Sequence, residues 1–115
     1  MRPTAIPCAA LLLLAACGPD AAPASPGAKL YQVQGCATCH GSAGEGALTG
    51  PPIAGSSSRW KRDDLAAFLA EPESFVARDP RLAQQKKKYM MPMQAFTHLS
   101  MEERLQLADH VLSLR

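Results

Sequence analysis

Two cysteines and a histidine stand close together in the string Cys36-Ala37-Thr38-Cys39-His40. Thiols three positions apart lie on one side of a helical turn, where they can form thioethers with the two vinyl groups of a single haem. The histidine that follows then points at the iron. This spacing is typical of the attachment motif of c-type haem. It predicts one covalent haem c, held by Cys36 and Cys39 and ligated by His40.

Two other kinds of site also use a Cys-x-x-Cys pair. A structural zinc site needs a second pair of ligands at similar spacing, and the sequence contains none. A thioredoxin-like redox pair follows a strand in a βαβ unit, and that context is absent from the sequence as well. Haem attachment takes place outside the cytoplasm, which agrees with the export signal described next.

A run of apolar and small residues extends from Ile6 to Ala16, behind the single basic residue Arg2. A membrane-spanning helix needs about 20 such residues, so the run is too short for an anchor. It is typical of a secretory signal peptide, which we assign to residues 1–16. Past it, residues 17–27 are rich in proline, alanine and glycine and are predicted to form a flexible tether to a domain at 28–115.

The tetrad Leu14-Ala15-Ala16-Cys17 resembles the lipobox of bacterial lipoproteins, in which the cysteine is acylated and the peptide is cut just before it. The resemblance implies lipidation of Cys17 and anchorage at the periplasmic side of a bacterial membrane. Gly18 in the next position favours the outer membrane. Cleavage after Ala24, which would release a soluble periplasmic protein, remains the alternative.

Large apolar residues are scarce, with only 24 of them after Cys17. That is a thin core for a domain that folds unaided, and a haem would supply the missing apolar surface. Val, Ile and Thr together number nine, which favours helices over a sheet. A net charge of +2 excludes nucleic-acid binding by bulk charge.

The chain from residue 27 onward resembles the class I c-type cytochromes. Besides the haem motif, the stretches that carry the resemblance are Gly27-Ala28-Lys29-Leu30-Tyr31, Thr49-Gly50-Pro51-Pro52-Ile53, the helical pattern from Trp60 to Leu69, and the pattern from Leu99 to Leu114. The resemblance implies a small all-α fold, with three main helices and a short inserted helix around one haem.

The same resemblance assigns roles to residues outside the motif. The carbonyl of Pro51 would accept the proton on the far nitrogen of His40. Trp60 would contact a haem propionate through its indole nitrogen, with simple packing as the alternative, and Arg59 would add a charge-assisted contact. His110 stands where the family has an aromatic residue, and is expected to pack against the first helix.

Two helix starts are predicted from capping residues. Asp63 or Asp64 would cap the helix that carries Leu65, Phe68 and Leu69. Asp79-Pro80 would open the inserted helix, which runs to about Lys88. Its basic residues, which include Arg81 and Lys86, form either a solvated face or a surface for an acidic partner or an anionic membrane.

Four methionines follow the tether, and one of them is expected to be the sixth ligand of the iron. Met101 lies inside the capping box of the last helix, and Met90 is the weakest of the other three. A proline directly after the ligand, as in the family, favours Met91, whereas a count of six residues back from Leu99 selects Met93. We predict Met93, with Met91 as second choice.

The resemblance implies a one-electron carrier in an extracytoplasmic electron-transfer chain, acting with redox partner proteins and without a small-molecule substrate. It would not be an enzyme on its own. The alternatives are a haem subunit or domain of a periplasmic oxidoreductase complex, and a haem sensor or enzyme with a labile sixth ligand. A sulfur-to-iron charge-transfer band in the ferric spectrum would mark a closed site.

Overall fold

The computed structural model describes residues 23–115, and these form an all-α domain. Its helices are α1 Pro26–Val33, α2 Cys36–His40, α3 Arg62–Ala70, α4 Pro72–Val76, α5 Pro80–Lys88 and α6 Met101–Ser113, with a 3₁₀ turn at Ser56–Ser58. In this described part the sole β feature is an isolated bridge between Ala47 and Gly50. The predicted fold class is confirmed, with α2 and α4 as short helices beyond the four expected. The predicted signal peptide and Cys17 lie outside the described residues.

Helix α1 begins at Pro26, two residues inside the segment that we expected to be tether. Ser25 caps it, because its Oγ accepts a hydrogen bond from the Ala28 amide at 3.1 Å. Gly27 is buried where α1 crosses α6, and a Cβ built on it would overlap the backbone oxygen of Gln106. The crossing therefore needs a glycine for reasons of space.

Helix α6 is the central element of the core, and it packs on both α1 and α3. The predicted capping box is present, since Ser100 Oγ accepts from the Glu103 amide at 3.1 Å and Glu103 Oε1 accepts from the Ser100 amide at 3.0 Å. Leu107 is fully buried. As expected, His110 packs against α1, with its ring centroid 5.1 Å from that of Tyr31.

The predicted cap of α3 is wrong. The helix begins at Arg62 with Lys61 as its N-cap, and no side chain makes a capping hydrogen bond. Asp63 and Asp64 lie one step further in, within the first turn, where their charges interact favourably with the helix dipole. Arg62 instead forms two hydrogen bonds with Asp109 at 2.6 and 2.9 Å, which tie the start of α3 to α6.

The inserted helix α5 has the predicted start, with Asp79 Oδ1 accepting from the Arg81 amide at 2.9 Å and Pro80 in the first turn. It ends at Lys88, as predicted. A salt bridge of 2.6 Å between Lys86 and Glu73 joins it to α4. Of the helices in residues 23–115, none is long and apolar enough to span a membrane.

Candidate functional site

A single deep cleft brings together most of the residues that the sequence singled out. Its walls come from α1, α2, the loop after α2, α3, α4, α5, the loop at 89–93 (the methionine loop) and α6. It encloses about 1040 Å³ of space, counting its open mouth. Small-molecule and cofactor sites are usually clefts lined mostly by apolar groups, with a few polar groups that fix the ligand's orientation.

The motif helix α2 is a short turn bounded by two glycines. Gly35 before it has φ 74° and Gly41 after it has φ 81°, in the left-handed region that favours glycine. The chain can therefore enter and leave the turn sharply. Cys36 and His40, at the two ends of α2, both line the cleft.

His40 is oriented by a hydrogen bond to the loop that follows the motif. Its Nδ1 lies 2.8 Å from the carbonyl oxygen of Pro51, the contact that the family resemblance implied. Because a carbonyl can only accept, Nδ1 carries the proton and donates it. The lone pair of Nε2 is then free to bind a metal, as is usual for histidine ligands.

The two cysteines differ in their surroundings. Cys36 is half-buried in the wall of the cleft, and burial raises the pKa of its thiol to about 11. Reactive redox cysteines have lowered pKa values, so this thiol lacks their signature. Cys39 is also half-buried but does not line the cleft. It packs beneath the following loop, where a Cβ on Gly50 would come within 2.6 Å of its carbonyl oxygen.

A zinc site also lacks its ligands. Nowhere between residues 23 and 115 do three or more His, Cys, Asp or Glu side chains gather in a group that could hold a metal ion. Four protein ligands are the rule for structural zinc.

The methionines are not equivalent. Met91 and Met93 both line the cleft, whereas Met90 and Met101 do not. Met93 is half-buried and packs against the main core cluster, while Met91 is 63% exposed. The loop that carries them is anchored just beyond Met93, where the Phe96 amide donates to the Leu69 carbonyl at 2.8 Å.

Trp60 and Arg59 both line the cleft. The Trp60 ring also packs on two aromatic rings, with centroid distances of 5.0 Å to Phe68 and 5.9 Å to Phe75. Trp60 therefore packs among aromatic side chains, which is the alternative role that the sequence left open. The contacts of Trp60 and Arg59 with a propionate stay predictions.

The inserted helix α5 forms one wall of the cleft, which the sequence analysis missed. The lining residues of this helix and its C-cap are Arg81, Leu82, Gln85, Lys86 and Tyr89. Their spacing of one, three, one and three positions follows one helical face. Leu82 is the one apolar residue of that helical face that could have indicated a buried side. Arg81 and Lys86 indicated a solvated face instead, although the apolar stems of such side chains can line a cleft while their charged ends reach outward.

Tyr31 also lines the cleft, in a role that the sequence did not indicate. Its ring lines the cleft, and its hydroxyl donates to the carbonyl of Gly41 at 2.5 Å. Burial raises the pKa of the Tyr31 phenol to about 12, so the hydroxyl keeps its proton at neutral pH. Helix α1 is thereby joined to the residue directly after His40.

The donor set and the walls fit a covalently attached haem. One helical turn supplies two thiols and an imidazole whose free nitrogen is Nε2. The thioether side chains of Met91 and Met93 line the same cleft as Cys36 and His40. Apolar side chains that line the cleft, among them Leu65, Phe68 and Leu107, would cover a flat apolar ring. Such an arrangement can hold an iron that gains and loses one electron without a substrate pocket.

Comparison with known proteins gave one match. A family model described as "Cytochrome c" matches residues 24–115, a range that contains all the described helices. No curated protein and no solved structure matches the chain significantly.

Proposed function

The chain belongs to the cytochrome c family, and from this premise we propose that it is a one-electron carrier whose single haem is ligated by His40 and Met93. Family membership establishes covalent haem c and haem-based electron transfer. When bound, the haem iron supplies a couple between its ferric and ferrous states. A neutral thioether opposite histidine favours the ferrous state and raises the reduction potential.

One observation carries the proposal: His40 Nδ1 is bonded to Pro51 in the same cleft that Met93 lines. The bond holds the imidazole in one tautomer and one orientation. Met93 is favoured over Met91 because it is half-buried against the core. A ligand held by packing loses less conformational freedom on binding than the 63% exposed Met91 would lose.

The ligand assignment is tested by replacing each methionine in the holoprotein. We expect Met93→Ala to abolish the sulfur-to-iron charge-transfer band of the ferric protein. It should also lower the potential by on the order of 0.1 V or more, because axial ligand identity is a large lever on potential. Met91→Ala is the matched control, since it removes the neighbouring thioether from the same loop, and it should leave the band in place.

The reverse pattern would contradict the assignment. If Met91→Ala removes the band and Met93→Ala keeps it, the sixth ligand is Met91. If neither removes it, the ligand lies outside this pair and both choices fail.

We propose further that lipid on Cys17 holds the protein at the periplasmic side of a bacterial membrane. The support is the sequence Leu14-Ala15-Ala16-Cys17 behind an apolar run. Several acyl chains bind a membrane stably where one is marginal. Cys17→Ser should release the protein from the membrane fraction or block its processing. Unchanged membrane association with an unmodified mature mass would contradict the anchor.

The partners that we propose are redox proteins with an acidic docking face. The supporting feature is the carboxyl end of α5, where Lys87 and Lys88 are exposed and Lys86 is paired with Glu73. Since α5 forms a wall of the cleft, its charge lies beside the haem site. Opposite charges would steer such a partner toward that side of the molecule.

A further inference from the structure

We infer that Arg81, on the inserted helix α5, binds a haem propionate next to Trp60 and Arg59. The inference rests on the haem site proposed above and extends it to a residue outside the stretches that carry the family resemblance. It gives the inserted helix a direct part in holding the cofactor.

The position of Arg81 is the first argument. Its guanidinium lies over the indole of Trp60, with Cζ 5.6 Å from the ring centroid. Arg59 directly precedes Trp60 in the chain and lines the same cleft. Two arginines from different elements therefore line the cleft together with Trp60.

The free donors of Arg81 are the second argument. A guanidinium has five N–H donors in a fixed fork. In the part of the chain that the structure describes, the Arg81 side chain donates no hydrogen bond. Its nearest carboxylate oxygen, Asp79 Oδ2, lies 3.6 Å from Nη2, which is beyond hydrogen-bond length. The other carboxylate oxygen of Asp79, Oδ1, accepts a hydrogen bond from the Arg81 backbone amide at 2.9 Å.

The chemistry of the ligand is the third argument. A haem is an apolar ring whose charged substituents are two propionate carboxylates. Most of the cleft is apolar, so these carboxylates gain most where cations are close. Of the basic residues in the wall, Lys86 is already paired with Glu73 at 2.6 Å. Arg59 and Arg81 donate no side-chain hydrogen bond within the described residues, and the ion pair of Arg81 with Asp79 is long, at 3.6 Å. The planar fork of a guanidinium suits a bidentate carboxylate contact.

A cation at this place acts on the iron through its charge. Oxidation adds one positive charge to the haem, and a neighbouring cation opposes that addition. Removal of the Arg81 charge should therefore stabilise the ferric state and lower the reduction potential. The partly exposed site, with the Arg81 side chain 36% exposed, limits the effect by solvent screening.

The experiment compares Arg81→Gln with Arg78→Gln in the purified holoprotein. Arg78 is the matched control because it stacks on Phe75, with its Cζ 4.2 Å from the ring centroid, and does not line the cleft. The change of charge is the same in both variants. Arg81→Lys keeps the charge and removes the planar fork.

We expect Arg81→Gln to shift the redox equilibrium about threefold or more toward the ferric form, which is ~28 mV at 59 mV per tenfold for one electron. Arg78→Gln should shift it less than half as much on the millivolt scale, and Arg81→Lys should keep most of the wild-type potential. The propionate bending bands in the resonance Raman spectrum should move in Arg81→Gln and stay in place in Arg78→Gln.

Equal potentials for the two glutamine variants, or unmoved propionate bands in Arg81→Gln, would overturn the inference. The full shift in Arg81→Lys would overturn it too, because the effect would then not follow the charge. The sulfur-to-iron band separates this inference from the ligand proposal. A wild-type protein without the band refutes Met93 ligation, whereas loss of the band in Arg81→Gln alone shows that Arg81 acts on the methionine loop instead.

Discussion

At the scale of single residues, two hydrogen bonds to backbone carbonyls hold His40 and the residue directly after it. The Pro51 carbonyl accepts from Nδ1, and the next carbonyl after His40, that of Gly41, accepts from the Tyr31 hydroxyl. The motif Cys36-Ala37-Thr38-Cys39-His40 and the role of Pro51 could be predicted, because attachment chemistry and a shared family pattern dictate them. The Tyr31 bond could not, since the sequence does not show which carbonyl a buried hydroxyl meets.

Tyr31→Phe should lower the free energy of unfolding by about 0.5–1.5 kcal/mol, because it removes one hydrogen bond and keeps the ring. The measurement is guanidinium-induced unfolding of the holoprotein. Tyr89→Phe is the control, since Tyr89 also lines the cleft but its hydroxyl has no hydrogen bond within the described residues. Equal stability of the two variants would show that the bond to Gly41 contributes nothing.

At the scale of elements, the backbones of α1 and α6 cross at close range. Gly27 lets the α1 backbone approach Gln106, and Tyr31 one turn later fills the core beside His110. The cytochrome pattern in the sequence pointed to this crossing. It did not give the start of α1, because Pro26 stands in a proline-rich stretch that resembles a tether and is in fact the first turn behind the Ser25 cap.

Gly27→Ala should destabilise the holoprotein by about 1–3 kcal/mol, the usual cost of forcing an extra methyl group into a packed contact. The new Cβ would meet the backbone of α6, which cannot move aside as a flexible side chain could. Thermal or denaturant unfolding measures the loss. Lys29→Ala on the exposed side of α1 is the control, and a Gly27→Ala protein as stable as that control would refute a close crossing.

The middle of the chain shows why some elements were missed. Pro72 opens α4 two residues after α3 ends at Ala70, because proline fits the first turn of a helix as well as it stops one. Asp79-Pro80 carries the same signal with a capping side chain, so α5 could be predicted. Residue counting ranked Met93 above Met91, and the packing of Met93 against the core adds support for a ligand assignment that stays a prediction.

At the scale of the whole molecule, the net charge is only +2, but the positive charges are unevenly distributed. Three consecutive lysines end α5, and α5 is a wall of the cleft. Fields from such a cluster reach about 30 Å at 0.01 M salt and about 8 Å at 0.15 M. Electron exchange with anions should therefore be fast and sensitive to salt.

Hexacyanoferrate(III), an anionic one-electron oxidant, tests this charge distribution by stopped-flow. Oxidation of the ferrous protein should slow by about threefold or more between 0.01 and 0.15 M salt. Lys87→Glu with Lys88→Glu should weaken or reverse that dependence. Lys29→Glu with Arg115→Glu is the control, since it changes the net charge by the same amount at residues that do not line the cleft. This control should alter the salt dependence less. Identical salt dependence in the two double variants would count against a docking role for α5.

The ferric absorption spectrum of the native holoprotein tests the central claim most directly, together with addition of carbon monoxide to the ferrous form. A haem ligated by both His40 and a methionine has no open position. We therefore expect the sulfur-to-iron charge-transfer band in the ferric spectrum and no rapid change on adding carbon monoxide. A ferric spectrum without the band, with fast and complete carbon monoxide binding, would contradict a closed electron carrier and indicate an open or labile sixth site.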